Sequence, residues 1–325
     1  MNNVFGNKFR ILLHGTSHSK DLGVFIFGAP LDYRVDIDGL KAEIERRKPN
    51  NKWTTPRKEK DEPKVEYLSG VISILFTNNN INDNDYEKFV DMPRPSHADY
   101  VQYNKYKDKE ALLGGGIASG RMTLPIVAAG YVAKQLLKKY SKAIDITAEI
   151  TSIGNFGNNL KDLQEKALDW CYDNGDSVGA KVRCTVKNPP RFIGEPFFDS
   201  VESVISHGIF SIPGIKAISF GDGIDCITKY GSERNDSFID ADGHTSSNNE
   251  GGINGGITNG NDIVFDVYVK PTASISKPQE TWNFKENKQE TLEIGGRHDI
   301  CFALRTPVVI EAITAISLLD LCIEQ

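Results

Sequence analysis

The segment KAIDITAEI alternates without a slip: Ile144, Ile146, Ala148 and Ile150 fall on one side of an extended chain, and Asp145, Thr147 and Glu149 on the other. GAKVRCTV repeats the pattern, setting Ala180, Val182, Cys184 and Val186 against Lys181, Arg183 and Thr185. NDIVFDVYVKP does so again with Ile263, Phe265, Val267 and Val269 on one face. Period-two patterning of this kind marks strands with one buried and one solvated face. Strands of a parallel sheet covered on both sides read instead as continuous apolar runs, so these segments predict antiparallel sheets.

Helical patterns lie between the strands. LPIVAAGYVAKQLLKKY (124–140) is apolar at first and basic at its end, the order that the helix dipole favours. LKDLQEKALDWCYDNG ends on Gly175, a suitable C-cap. TPVVIEAITAISLLDLCIEQ closes the sequence as a strongly apolar helix, which belongs at the centre of a core. There is no regular βαβ beat, so the fold class is α+β. No linker rich in Pro, Gly or Ser divides the sequence and no repeat is evident, so residues 1–325 are expected to form one large domain.

Charge narrows the range of partners. With 38 Lys and Arg against 44 Asp and Glu, the net charge of −6 argues against a broad nucleic-acid surface, yet leaves room for a local basic pocket. The five cysteines (Cys171, Cys184, Cys226, Cys301, Cys322) form no CxxC pair, so neither a zinc site nor a disulfide framework is indicated. No apolar run approaches a membrane span or a secretory leader, and a reducing cytoplasm is the expected location.

RPSHADY (94–100) sets His97 between a rigid Arg-Pro and an Asp-Tyr. A histidine held by stiff backbone beside an acid can move protons, although Pro, Ser and Asp also make ordinary surface turns. Glycines gather at 114–116, 221–223 and 251–260, where backbone N–H groups can approach a ligand closely. None of these stretches has the spacing of a Rossmann or Walker A motif; together with basic residues elsewhere they suit a phosphate-bearing ligand.

Read in order, HGTSHS (14–19), ERRKPNNKWTTPRKE (45–59), RPSHADY (94–100), GGGIASGRMT (114–123), GDSVGAKV (175–182), SFGDG (219–223), GGINGGITNG (251–260), VKPTASI (269–275) and GGRHDICFALRTPVVIEA (295–312) resemble chorismate synthases from end to end. The resemblance implies a single-domain α+β sandwich of antiparallel sheets and helices that assembles as a homotetramer. It implies conversion of 5-enolpyruvylshikimate 3-phosphate to chorismate by 1,4-elimination of phosphate. The cofactor implied is reduced FMN, with no net redox change and with NADPH-dependent flavin reduction supplied by a separate reductase. Neither a metal, a nucleic acid nor a membrane is implied.

By the same resemblance, His18 offers a proton to the departing phosphate, His97 lies near N1 of the flavin, and Asp299 helps to relay a proton from flavin N5. Substrate anions fall to Arg47, Lys52, Arg121 and Arg305, with Arg46, Arg57 and Lys58 as further cations of the same motifs. Arginine suits such work because its fork captures carboxylate or phosphate with two hydrogen bonds. The cofactor positions are Ile117, Ala118, Ser119, Pro213, Gly214, Gly255, Lys270, Pro271, Thr272, Ala273, Ser274 and Arg297. His14, His207, His244 and His298 have weaker claims, and His207 reads as an ordinary helix residue.

The sequence departs from the family pattern at informative places. Thr16 and Ser19 replace the Glu and final Gly of F-G-E-S-H-G, Ser96 replaces the Gly of RPGHADY, and Ile117 and Ala118 replace an arginine and a serine. Isoleucine cannot hold an anion, and Arg121 is the neighbouring cation able to compensate. These departures motivate an alternative, a catalytically impaired paralogue that binds flavin or a metabolite. A serine hydrolase built on GTSH (15–18) is a weaker rival, because G-x-S-x-G is incomplete.

Overall fold

Two five-stranded antiparallel sheets enclose a double layer of helices. The structure, a computed structural model, describes residues 3–48, 51–55, 59–78, 88–108, 115–295 and 298–323. The first sheet holds β1 (Val4–Phe5), β2 (Arg10–His14), β3 (Asp21–Phe27), β4 (Lys64–Leu68) and β5 (Val71–Thr77) in the order β1-β2-β3-β5-β4. The later strands are β6 (Asp145–Ile153), β7 (Phe156–Gly157), β8 (Ala180–Lys187), β9 (Ile215–Phe220), the short pair β10 (Ile253–Asn254) and β11 (Ile257–Thr258), β12 (Ile263–Val269), and the hairpin β13 (Gln279–Asn283) and β14 (Lys288–Leu292). Of these, β7-β6-β8-β12-β9 form the second sheet.

The helices are α1 (Ile37–Arg46), α2 (Lys88–Asp91), α3 (Asp99–Tyr106), α4 (Thr123–Leu137), α5 (Lys161–Asp173), α6 (Val201–Ile209), α7 (Gly231–Arg234) and α8 (Pro307–Cys322). Helix α4 packs on β2, β3 and β5, α8 packs on β6 and β8, and the two helices pack on each other. At their crossing Gly130 meets Ala312 so closely that no Cβ fits. Both helices are apolar nearly all round because each is covered on one side by a sheet and on the other by a helix.

The three alternating segments are β6, β8 and β12, and their apolar faces are the ones turned to the core. Val182, Cys184, Val186, Ile263, Phe265 and Val267 have no accessible surface. Their registers are antiparallel throughout, with Phe265 opposite Cys184 and Ile146 opposite Val186. Fully burying an aliphatic side chain is worth roughly 1.5–3 kcal/mol, so this shared face is the main reason that the strands pair as they do. The helix before Gly175 is α5, and Gly175 takes φ +64 just past its end. His207 lies on α6 with its ring edge-on to Phe5, as a packing residue.

Polar groups on α8 are buried with partners that tie distant parts of the chain together. Asp320 accepts from the backbone N–H groups of Asn7 (2.9 Å), Lys8 (2.6 Å) and Phe9 (2.8 Å), which fixes the start of the first sheet to the last helix. Glu311 accepts two hydrogen bonds from Arg46 (both 2.7 Å), one from Lys134 (2.6 Å) and one from the Ala148 backbone (3.0 Å). A buried carboxylate is tolerable only when its oxygens are satisfied in this way.

Candidate active site

Arg46 and Arg47 are neighbours in sequence with different fates. Arg46, in the last turn of α1, turns toward Glu311 and Glu43 on the helix layer. Arg47, the C-cap of the same helix, is about a hundred degrees further round and points into the loops at the strand ends, where it is 2% exposed. Its Nη2 donates to Asp61 at 3.2 Å, while Nε and Nη1 are buried without an acceptor among the described residues. Burial, the nearby Arg305 and the nearby Arg121 together pull the Arg47 pKa down to about 9, with Asp61 opposing them. A guanidinium so placed is short of negative charge.

Around Arg47 runs a chain of polar contacts that joins most of the sequence motifs. Arg305 Nε donates to the Arg47 carbonyl at 3.4 Å, and Arg305 Nη1 lies 3.2 Å from Asp299 Oδ2. Asp299 Oδ1 accepts from the Thr55 backbone at 2.8 Å, which fastens the RHD segment to the TTP segment. On the other side Asp61 Oδ1 accepts from Arg121 Nη1 at 2.5 Å, and Arg121 Nε donates to Asn78 at 3.2 Å. Arg121 Nη2 is ion-paired to Glu59 at 2.8 Å. Asn78 in turn donates to the carbonyls of Thr16 and Ser19, at either end of the turn that carries His18.

That turn follows β2. Ser17 is fully buried, its Oγ lies 3.1 Å from His18 Nδ1, and its N–H donates to the Gly116 carbonyl at 3.3 Å. The last contact brings HGTSHS against the 115–119 loop. Ile117 and Ala118 are half-buried in that loop, and Ser119 Oγ accepts from the Arg121 N–H at 3.3 Å.

His97 approaches the same loop from the far side. A Cβ on Gly115, which has φ +83, would stand 3.8 Å from Cε1 and 4.0 Å from Nε2 of His97, so this edge of the imidazole faces the loop. The other edge is held by Asp99, whose Oδ1 is 2.7 Å from Nδ1. Asp99 can only accept as a carboxylate, so Nδ1 carries the proton. The 3.1 Å approach of Arg94 Nη2 to Nδ1 then reflects two donors converging on one carboxylate. Burial pushes the Asp99 pKa up, but hydrogen bonds from Arg94 and His97 overcome it and hold the carboxyl well below its usual range. Arg94 Nη1 also donates to Ser274 at 2.8 Å, and Lys270 Nζ donates to the Ser96 carbonyl at 2.8 Å, joining RPSHADY to KPTAS.

Pro213 and Gly214 lead into β9, and the Gly214 carbonyl accepts from Lys270 N at 2.9 Å. Pro271 is exposed and Ala273 half-buried, while Thr272 Oγ1 is buried with no hydrogen-bond partner among the described residues. Burial, with the Lys216 charge, lowers the Lys270 pKa.

Not every expected residue joins this cluster. Lys52 is ion-paired to Asp169 on α5 at 2.6 Å, with 57% of its side chain exposed. Gly255 lies exposed at the turn between β10 and β11, a hairpin docked on the 190–201 segment. Arg121 does reach the cluster, but carboxylates of the chain itself hold both of its outer nitrogens. Arg57, Lys58 and Arg297 lie outside the described residues.

Sequence reasoning passed over Glu59, Asp61 and Asn78 and read Arg94 and Asp99 only as the flanks of His97; all five brace the expected residues from behind. Glu59, Arg94 and Asp99 lie inside the quoted motifs, whereas Asp61 and Asn78 lie outside them and left no signal in the sequence. His298, given a weak claim, also belongs here: burial lowers its pKa, the Gly295 carbonyl partly restores it, and the Arg94 charge lowers it again. Away from the cluster, Asp240, Asp242 and His244 bring ligand atoms within 4.8 Å of one another on the surface, where His244 Nδ1 pairs with Asp240 at 2.6 Å. Among the described residues no helix is long and apolar enough to cross a membrane.

Comparison with known proteins agrees with the motifs. Residues 9–323 match the family described as Chorismate synthase. The chain is 45% identical to the chorismate synthase of Chitinophaga pinensis, covering 98% of this chain and 96% of that protein. It is 38% identical to that of Campylobacter lari (98% and 94% covered) and 36% identical to that of Archaeoglobus fulgidus (99% and 98% covered). A crystal structure of a chorismate synthase shares the fold, with a TM-score of 0.71 at 22% identity over 97% of this chain and 92% of the other.

Proposed function

Because this chain belongs to the chorismate synthase family, a carbon–oxygen lyase that eliminates phosphate from 5-enolpyruvylshikimate 3-phosphate to give chorismate, we propose a division of labour among its residues and a reduced FMN cofactor. The observation that carries the proposal is the buried, under-paired guanidinium of Arg47 in a chain of contacts that runs to Arg305 and Asp299 on one side and to the turn of His18 on the other, with His97 across the 115–119 loop. A substrate with a phosphate and two carboxylates supplies the acceptors that Arg47 lacks. Hydrogen bonds to charged groups contribute roughly 1.5–3 kcal/mol each, so two unfilled donors are a substantial share of binding. Arg305 acts beside Arg47, and Arg121 adds positive field while keeping Asp61 and Asn78 in place.

The KPTAS side of the cluster fits the flavin. Thr272 Oγ1 is a buried polar atom without a partner among the described residues, Lys270 is a cation with its pKa lowered by burial, and the Cε1–Nε2 edge of His97 faces Gly115, which has no Cβ. Lys270, Pro271, Thr272, Ala273, Ser274, Pro213, Gly214 and the 117–119 loop would hold the cofactor, with Gly255 and Arg297 as the family pattern has them. A reduced FMN held there would supply transient electron density for C–O cleavage with no net oxidation. His97 presents its Nε2 edge toward Gly115, with its tautomer set by Asp99. His18 protonates the leaving phosphate, a role that ordinarily contributes about 10²–10⁴-fold. Asp299, fixed by Thr55 and Arg305, accepts and passes on a proton.

The accompanying reading is a cytoplasmic homotetramer supplied with reduced flavin by a separate NADPH-dependent reductase. Phe192, Phe197 and Phe198, which are 75, 87 and 90% exposed, are apolar area that subunit contacts would cover. Flavin titration tests the cofactor assignment: FMN should show a bound-state spectrum, more tightly with phosphorylated substrate present. No spectral change under either condition would remove FMN from the account.

A further inference from the structure

Thr16 and Ser19 stand on either side of Ser17 and His18, and each donates its backbone N–H to the other's hydroxyl. Thr16 N reaches Ser19 Oγ at 2.8 Å, and Ser19 N reaches Thr16 Oγ1 at 3.1 Å. Ser19 Oγ passes its own hydrogen to the Asp21 carbonyl at 2.6 Å. Asn78 Nδ2 closes the arrangement from outside, donating to the Thr16 carbonyl at 3.3 Å and to the Ser19 carbonyl at 2.7 Å. Four residues of backbone are thus clasped at both ends by side chains.

The clasp fixes what lies between. Ser17 has no accessible surface, and its Oγ is 3.1 Å from His18 Nδ1. His18 and the Ser17 that meets its ring are both presented by the backbone between the two clasping residues. Side chains that bond nearby backbone in this manner define a turn where no ladder does. A glutamate at 16 and a glycine at 19, as in the family pattern, cannot make the reciprocal pair, because glycine has no atom to receive the N–H of residue 16. The two departures in this motif therefore belong together.

We propose that Thr16 and Ser19 act as one unit that positions His18 for proton delivery to the departing phosphate. The proposal rests on the role given to His18 above. Thr16→Val keeps the side-chain shape and removes the hydroxyl, and Ser19→Ala removes its partner. Each is expected to lower kcat by about tenfold, with KM for the phosphorylated substrate changed less than about twofold, the pattern of a group acting on the transition state. Thr16→Ser is expected to keep kcat within about twofold of wild type, and the double variant to be no slower than the slower single, because both changes break the same pair. Wild-type turnover by Thr16→Val, losses that multiply in the double variant, or Thr16→Ser as slow as Thr16→Val would each overturn the proposal. A readout without turnover separates this from the role of His18. The imidazole NMR signals of His18, assigned by their loss in His18→Gln, should be sharp in the unliganded wild type and averaged in Thr16→Val and Ser19→Ala. Identical signals in all three proteins would sink the clasp, whether or not wild type makes product.

Discussion

Arg47 meets Asp61 through a single nitrogen, Nη2 to Oδ2 at 3.2 Å, while its Nε and Nη1 are equally buried and find no acceptor among the described residues. A charge held this way weakens the unliganded fold and strengthens the liganded one. The neighbouring cations Arg305 and Arg121 add to the tension.

Arg47→Met should therefore leave the melting temperature of the unliganded protein unchanged or raised, since it removes two buried donors without acceptors and leaves Asp61 paired with Arg121. The same variant should raise KM by about tenfold or more, from the loss of charged hydrogen bonds. Thermal melts with and without phosphorylated substrate read both effects. A variant that melts well below wild type yet retains its KM would reverse the assignment.

Arg46 gives the complementary case, because its partner is Glu311 on α8. Glu311→Leu leaves Arg46 and Lys134 with Glu43 as their remaining carboxylate, and both retain some access to water, so the expected loss is about 2–4 kcal/mol, at the lower end for a broken buried pair. Denaturant midpoints should fall for Glu311→Leu and less for Arg46→Ala, with KM unmoved in Arg46→Ala. A tenfold rise in KM there would bring Arg46 back to the substrate.

Ser96 occupies φ +58, left-handed backbone that a residue with a Cβ adopts at a cost of roughly 1–2 kcal/mol. Ser96→Gly relieves that strain and loses some of it again to the freer unfolded chain, leaving a net gain of about 0.5–1 kcal/mol. The Lys270 contact uses the Ser96 carbonyl and survives the change. Chemical denaturation should show the gain, and a destabilised Ser96→Gly would mean that the serine hydroxyl has an unrecognised partner.

The Asp99 carboxyl has its pKa depressed in the folded protein by Arg94 and His97. A depressed carboxylate contributes stability that is complete above its unfolded value, about 4, and is lost as pH falls toward the folded one. Asp99→Asn removes that contribution and the fixed tautomer of His97. Its melting temperature should fall less steeply than wild type below pH 4, and its kcat should drop by about tenfold or more. Parallel slopes between pH 2.5 and 4 would show that the pair carries no such linkage.

The helix layer and the second sheet were legible because their burial is regular: β6, β8 and β12 alternate, and α4 and α8 are apolar all round. The first sheet was not, since LGVFIF and VISILF in β3 and β5 are near-continuous apolar runs without a polar face to set a period. Motif order brought His18, His97, Arg47, Arg305 and Asp299 into one account. It set Arg47 ahead of Arg46 but could not say where Arg46 goes, because its partner Glu311 lies far along the chain. Nor could it place Lys52, whose partner Asp169 sits on α5, or show that Arg121 is already held by Glu59 and Asp61. Contacts between residues far apart in the chain leave no period and no spacing to read.

The central claim is an elimination that uses reduced flavin without consuming it, and anaerobic turnover with photoreduced FMN measures it directly. Chorismate and inorganic phosphate should appear in equal amounts, over many turnovers, while the absorbance of reduced flavin is the same at the end as at the start. Phosphate without chorismate, no product at all, or oxidation of one flavin for each chorismate formed would contradict the account.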